Sequence, residues 1–102
     1  MNETLLAQVK RKLNITWSDT NTDDRVSDII AQAETVMLHK IGITDTAFDF
    51  SESGIVNVLF LAYCLYLYNH CENEFENNYL SEILQARAIY EVKHNENISE
   101  VQ

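Results

Sequence analysis

Proline is absent from this chain of 102 residues, and glycine occurs only twice. Average usage would give about five and seven. Tight hairpin turns, dinucleotide-binding turns and phosphate-cradling loops depend on those two residues, so a strand-rich sandwich, a dinucleotide fold and a P-loop are all disfavoured. Positive charge is scarce as well: seven Lys and Arg stand against sixteen Asp and Glu, a formal charge of −9. A protein that grips nucleic acid needs surplus cations to displace condensed counterions, so this is a poor candidate for a DNA-binding regulator. No apolar run is long. The longest, Val58 to Tyr68, has eleven residues, where about 20 are needed to cross a bilayer. The start, Met1-Asn2-Glu3-Thr4, lacks a basic region followed by an apolar stretch, and no export signal is expected there.

What is present is helical patterning. Leu5, Leu6, Val9 and Leu13 follow one face of a first helix, predicted over 3–13, with Asn2 as cap and Lys10, Arg11 and Lys12 at its negative pole. The following segment, 14–22, reads as a loop held by Ile15 and Trp17 as apolar anchors. Thr22 is the expected N-cap of a second helix, 23–41, with Asp23 and Asp24 in its first turn and Gly42 as its stop. Val26, Ile29, Ile30, Ala33, Met37 and Ile41 form its apolar stripe. A connector follows in which Phe48 and Phe50 alternate with polar residues and can tuck against the core.

Asp49 and Glu52 have capping-box spacing, with Ser51 as a competing cap, which predicts a third helix from near residue 52. From Ile55 to Tyr68 only Asn57 is polar, so this helix is expected at the centre, surrounded by the others. The last helix is predicted to begin at Asn73 or Glu74, with Phe75, Tyr79, Leu80, Ile83, Leu84, Ala88 and Tyr90 as its apolar stripe and Glu76, Glu82, Arg87 and Lys93 on its wet side. The segment 94–102 is polar, acidic and unpatterned and reads as a flexible tail. The expected fold is thus all-α: a compact four-helix domain over 1–93 around a central apolar helix, followed by the tail.

No constellation for catalysis emerges. Cys64 and Cys71 are seven residues apart on one helix, about 10 Å along its axis, too far for a disulfide and without the close spacing of a zinc pair. They read as reduced, buried fillers. His39 and His70 sit near helix ends as polar caps, and His94 lies in the tail. The carboxylates Asp23 with Asp24, and Glu72, Glu74 and Glu76, fall at polar helix starts, where they complement the helix dipole instead of shifting one another's pKa. No elbow motif and no glycine-rich loop is present. The chain is therefore not expected to be an enzyme, and no cofactor or metal is expected. Of the tyrosines Tyr63, Tyr66 and Tyr68, which point three ways from one helix, at least one should approach the surface.

Several segments carry a resemblance. Leu5-Leu6-Ala7-Gln8-Val9-Lys10 leads into Leu13-Asn14-Ile15-Thr16-Trp17-Ser18-Asp19, then Thr22-Asp23-Asp24 opens a helix; Tyr63-Cys64-Leu65-Tyr66 and Phe75-Glu76-Asn77-Asn78-Tyr79-Leu80-Ser81-Glu82-Ile83-Leu84 follow. Over residues 4–92 the chain resembles the small helical head–tail connector, or adaptor, proteins of tailed bacteriophages with long non-contractile tails and of prophages in Bacillus and related hosts. The resemblance implies a non-catalytic virion protein at the head–tail interface. Such a protein docks on the portal protein as a head-completion factor and forms a ring with the portal's symmetry. It extends the channel through which genomic DNA passes and carries the stopper or tail-completion protein. A ring subunit of this kind is expected to be dodecameric in the virion and monomeric when free, assembled in the host cytoplasm. Candidate contacts between subunits are Lys10, Arg11, Lys12 and Trp17, and candidate portal-docking residues are Arg87, Tyr90, Lys93, Ile98 and Val101. An acidic wall suits a channel that must pass DNA without holding it. The competing reading is an acidic DNA mimic that blocks a basic host protein.

Overall fold

The computed structural model describes residues 3–45, 47–52 and 54–101, the side chains of residues 3, 4 and 92–101 excepted. The fold is all-α, four helices with no strand among the described residues: α1 (Glu3–Lys12), α2 (Thr20–Ile41), α3 (Ile55–Tyr68) and α4 (Phe75–Val101), the last preceded by a 3-10 turn over Glu72–Glu74. The expected cap Asn2 lies outside the described residues. α2 and α3 pack against each other; α1 lies against both, and so does α4, while α1 and α4 do not touch among the described residues. The centre is therefore a helix pair with one helix on each flank.

Burial explains the arrangement. Leu5, Val9 and Leu13 of the first segment, Val26, Ile30, Ala33, Met37 and Ile41 of α2, and Leu59, Phe60, Ala62, Tyr63, Cys64 and Leu67 of α3 form one core. No polar or charged residue is buried among the described residues. Such a core is held by removal of apolar surface from water, about 25 cal/mol per Å², with no buried charge to solvate. Ile15 anchors the first loop in the core as expected, but Trp17 does not: it is 50% exposed. Its indole Nε1 donates to Thr22 Oγ1 at 3.1 Å, so the ring lies over the start of α2 as an amphipathic surface group.

Two predicted caps move. Asp19, not Thr22, caps α2: its Oδ1 accepts from Thr22 N at 2.8 Å and its Oδ2 from Thr22 Oγ1 at 2.9 Å. Those bonds, the backbone one first, hold the Asp19 carboxyl below its ordinary value of 3.8. Ionised Asp19 thus supports the cap above that ordinary value, and the support is lost as pH falls through the lowered one. Asp49 does not cap α3. Its Oδ1 accepts from Ser51 N at 2.9 Å, closing a local turn, and α3 instead starts behind Gly54 at φ 147°, a conformation that glycine alone takes readily.

Three helices end on left-handed residues, and glycine serves at only one. Gly42, at φ 80°, closes α2 with its N–H and that of Ile43 both donating to Leu38 O. Asn14 at φ 61° and His70 at φ 59° do the same work after α1 and α3, using residue types that tolerate this region better than most. That is how a chain with two glycines still turns sharply.

The connector tucks in as expected. Phe50 is buried, stacked on Phe60 with ring centroids 4.7 Å apart, and Phe48 meets Phe50 edge-on at 5.1 Å. Asn57, the polar residue of α3, fastens this region: its Nδ2 donates to Phe50 O at 2.7 Å and to Gln8 Oε1 at 2.9 Å, while Gln8 Nε2 donates to Ser51 O at 3.0 Å. One amide pair thereby ties α1, the connector and α3 together.

α4 departs most from expectation. Phe75, Ile83 and Ala86 are buried and Tyr79 and Tyr90 pack against the core, but Leu80 and Leu84 are each 50% exposed, and Ala88 is exposed. Phe75, Tyr79, Ile83, Ala86 and Tyr90 recur at steps of three and four, a complete face without the leucines, which lie about 100° away. Backbone geometry breaks helical form at Tyr79 (φ −122°, ψ 18°), where its ring stacks on Phe75 at 4.8 Å. Tyr90 is the last residue with a described side chain that packs on the core. The backbone of α4 is described as far as Val101, which takes in residues 94–101 of the expected flexible tail without contradicting that expectation; the side chains from 92 on lie outside the described residues.

Candidate interaction surface

Because α1 and α4 stand on opposite flanks, one strip of α3 between them stays uncovered. Val58, Leu61 and Leu65 share that face by their spacing. Val58 is 59% exposed and the other two are half-buried. α3 is the central helix as expected, touching α1, α2 and α4, and it still leaves one strip open to water. At the α1 edge the strip deepens into an open groove of about 410 Å³ lined by Gln8, Arg11, Lys12, Asn57 and Leu61. Its lining combines the apolar Leu61 with two amides and two basic side chains.

The basic triplet is divided by the fold. Lys10 turns toward α2, where Nζ lies 2.8 Å from Asp23 Oδ1 and 3.1 Å from Ser18 Oγ. Partly exposed pairs of this kind contribute about 1 kcal/mol or less and serve mainly to set how α1 meets α2. Arg11 and Lys12 are exposed on the groove side. Of the other cations with described side chains, Arg25 stands 4.6 Å over the Tyr68 ring, Lys40 pairs with Glu76 at 3.5 Å, and Arg87 Nε donates to Lys40 O at 2.5 Å. Arg11 and Lys12 are thus the cations left without a charged, aromatic or carbonyl partner among the described residues.

The outer face of α4 is apolar with a carboxylate beside it. Leu80, Leu84 and Glu91 fall on one face of α4 by spacing, the two leucines half exposed and Glu91 exposed. Arg87 lies on the same side, pinned to the end of α2. Tyr90 OH meets the Thr44 backbone N–H at 3.4 Å, so two of the proposed docking residues, Arg87 and Tyr90, also hold α4 to the rest of the domain. Lys93, Ile98 and Val101 have side chains outside the described residues.

Cys64 is buried and Cys71 half-buried, both as free thiols; burial, with the charge of Glu34 behind it, pushes the Cys64 thiol up to about 12. That keeps it protonated and inert at neutral pH. Burial likewise raises the Tyr63 hydroxyl above its ordinary 10.0. Tyr66 and Tyr68 are the tyrosines of α3 that approach the surface, the former accepting from Asn78 Nδ2 at 2.9 Å. Among the described residues no group of three or more His, Cys, Asp and Glu side chains could hold a metal ion, and no helix is long and apolar enough to cross a membrane.

Fold and surface together define a small all-α domain whose distinguishing features are two exposed faces of opposite character. Comparison with protein-family models, curated proteins and solved structures finds no match. Sequence reasoning missed Val58, Leu61, Leu65, Gln8 and Asn57 as surface-forming residues. The signal was available in part, since a helix apolar on every side cannot hide all of them in so small a domain.

Proposed function

We propose that this protein is a structural subunit of a tailed-phage virion, a head-completion or adaptor protein. It docks on the portal, forms a ring that extends the DNA channel, and presents a platform for the stopper and tail. One observation supports this reading beside the sequence resemblance: α4 runs on past its last described core residue. The last residue with a described side chain packed on the core is Tyr90, and the helix continues over residues 91–101, about 16 Å further at 1.5 Å per residue. A helical arm leaving a small rigid body is suited to insertion into a larger assembly, and the sequence places Lys93, Ile98 and Val101 on it. The net charge of −9 also suits a wall past which DNA moves, because like charges repel where a basic wall would bind.

The test is genetic. Loss of the gene from the phage or prophage that encodes it should leave portal-bearing heads that package DNA and then leak it, with free tails beside them. Normal yields of joined, infectious particles would overturn the reading.

A further inference from the structure

We infer that two copies of this protein associate head to tail, the groove between α1 and α3 of one copy receiving the outer face of α4 from the next. The faces match in kind. The groove offers Leu61 with Gln8, Asn57 and the unpartnered cations Arg11 and Lys12, and Val58 and Leu65 extend the apolar face of α3 beside Leu61 by their spacing. The α4 face offers Leu80 and Leu84 with the carboxylate of Glu91 two turns on from Leu84. Each half supplies what the other lacks, apolar surface to cover and one sign of charge to neutralise. Burying those leucines and valine against one another gains about 25 cal/mol per Å² of apolar surface removed from water.

Charge also restricts the choice. Two bodies that each carry −9 repel unless the contact includes cations, and Arg11 and Lys12 are the ones the fold leaves unengaged among the described residues. A second copy can approach favourably at the groove and unfavourably at most other places. The geometry is heterologous, because the mating faces lie on α1 and α4, which sit on opposite flanks and do not touch. Such a contact repeats from copy to copy, closing into a ring when its rotation divides a full turn. Each face exposes only two or three large apolar side chains, so the contact is weak in the free protein and becomes strong when copies are gathered on one template. Its use in a ring rests on the connector reading; the contact itself does not.

Complementation tests it. Arg11→Glu with Lys12→Glu disables the groove and leaves α4 intact; Leu80→Glu with Leu84→Glu disables α4 and leaves the groove. A third variant, Glu91→Lys, disables the α4 face without touching a leucine, should the double substitution unfold. At about 0.15 M salt, where screening limits long-range repulsion to about 8 Å, each variant alone should stay monomeric at millimolar concentration. Mixing the isotope-labelled groove variant with the unlabelled α4 variant should give saturable amide shifts centred on Leu80 and Leu84 and a particle of two copies and no larger. Wild-type chain should form larger species with concentration, at least tenfold more tightly than either variant. A wild-type monomer at millimolar concentration, a mixture without shifts, or shifts centred elsewhere would overturn the contact. Complementation without binding to portal-bearing capsids would overturn the connector reading and leave this contact standing. Capsid binding without complementation would do the reverse.

Discussion

Replacing Phe60 by alanine should remove about 3–5 kcal/mol from the stability of this protein, the usual cost of emptying a well-packed phenylalanine site. Phe60 is fully buried on α3 and stacks on Phe50 of the connector at 4.7 Å, and such ring pairs add about 0.5–1.5 kcal/mol beyond area burial. A domain of this size has about 5–15 kcal/mol in all, so the substitution takes at least about a fifth of the total. Its effect should extend along the chain. Phe50 is the residue that fixes the connector between α2 and α3, with Phe48 against it at 5.1 Å, so amide protection at Phe48 to Ser51 should fall with global stability. Urea unfolding followed by circular dichroism gives the first quantity and hydrogen exchange the second. Val58→Ala is the control from the same helix, and its exposure at 59% predicts a change within about 0.5 kcal/mol. A Phe60→Ala loss below about 1 kcal/mol would mean that the aromatic stack does not hold the connector.

Alkaline pH should unfold the protein through Cys64. Its thiol, ordinarily near 9.0, is held up at about 12 by burial first and by the Glu34 charge second. A folded-state value above the unfolded one means that the folded form keeps its proton while the unfolded chain releases it. Stability is therefore full below about pH 9 and declines from there to about pH 12, by up to about 1.4 kcal/mol for each pH unit. Tyr63, raised above 10.0 by burial, acts with the same sign at the upper end of the range. Unfolding midpoints should be flat from pH 7 to about 9 and then fall. Cys64→Ala should start lower, because it leaves a small cavity, and then fall less steeply. An equal slope in both proteins would remove Cys64 as the cause.

Much of this architecture was legible in the sequence, and the exceptions have local physical reasons. α2 and its stop at Gly42 follow from an unbroken apolar period and a single glycine, and the apolar length of α3 placed it at the centre. The cap of α2 was misjudged because Asp19 and Thr22 both have capping side chains, and the pair Asp23 and Asp24 suggested the later start. In the fold Asp23 is engaged by Lys10 from α1, a contact thirteen residues distant that no local pattern contains. The apolar arc of α4 was too wide to orient, since Phe75, Ile83 and Tyr90 make one face and Leu80 and Leu84 another. Only the position of α2 and α3 decides which turns inward. The groove was least legible. It depends on Gln8 meeting Asn57, a pairing across forty-nine residues, and on the fact that α1 and α4 stay apart.

That separation gives the molecule two unlike flanks, and in the proposed function the stretch of α4 beyond Tyr90 serves as a docking arm. Docking through this arm is the central claim. Under the proposed function it is tested most directly by sedimenting DNA-filled, portal-bearing phage capsids with the full chain and with a chain ending at Tyr90, both first shown to be folded. The full chain should travel with the capsids at a fixed number of copies per head, and the shortened chain should stay in the supernatant. Equal recovery of both chains, or of neither, would contradict the account.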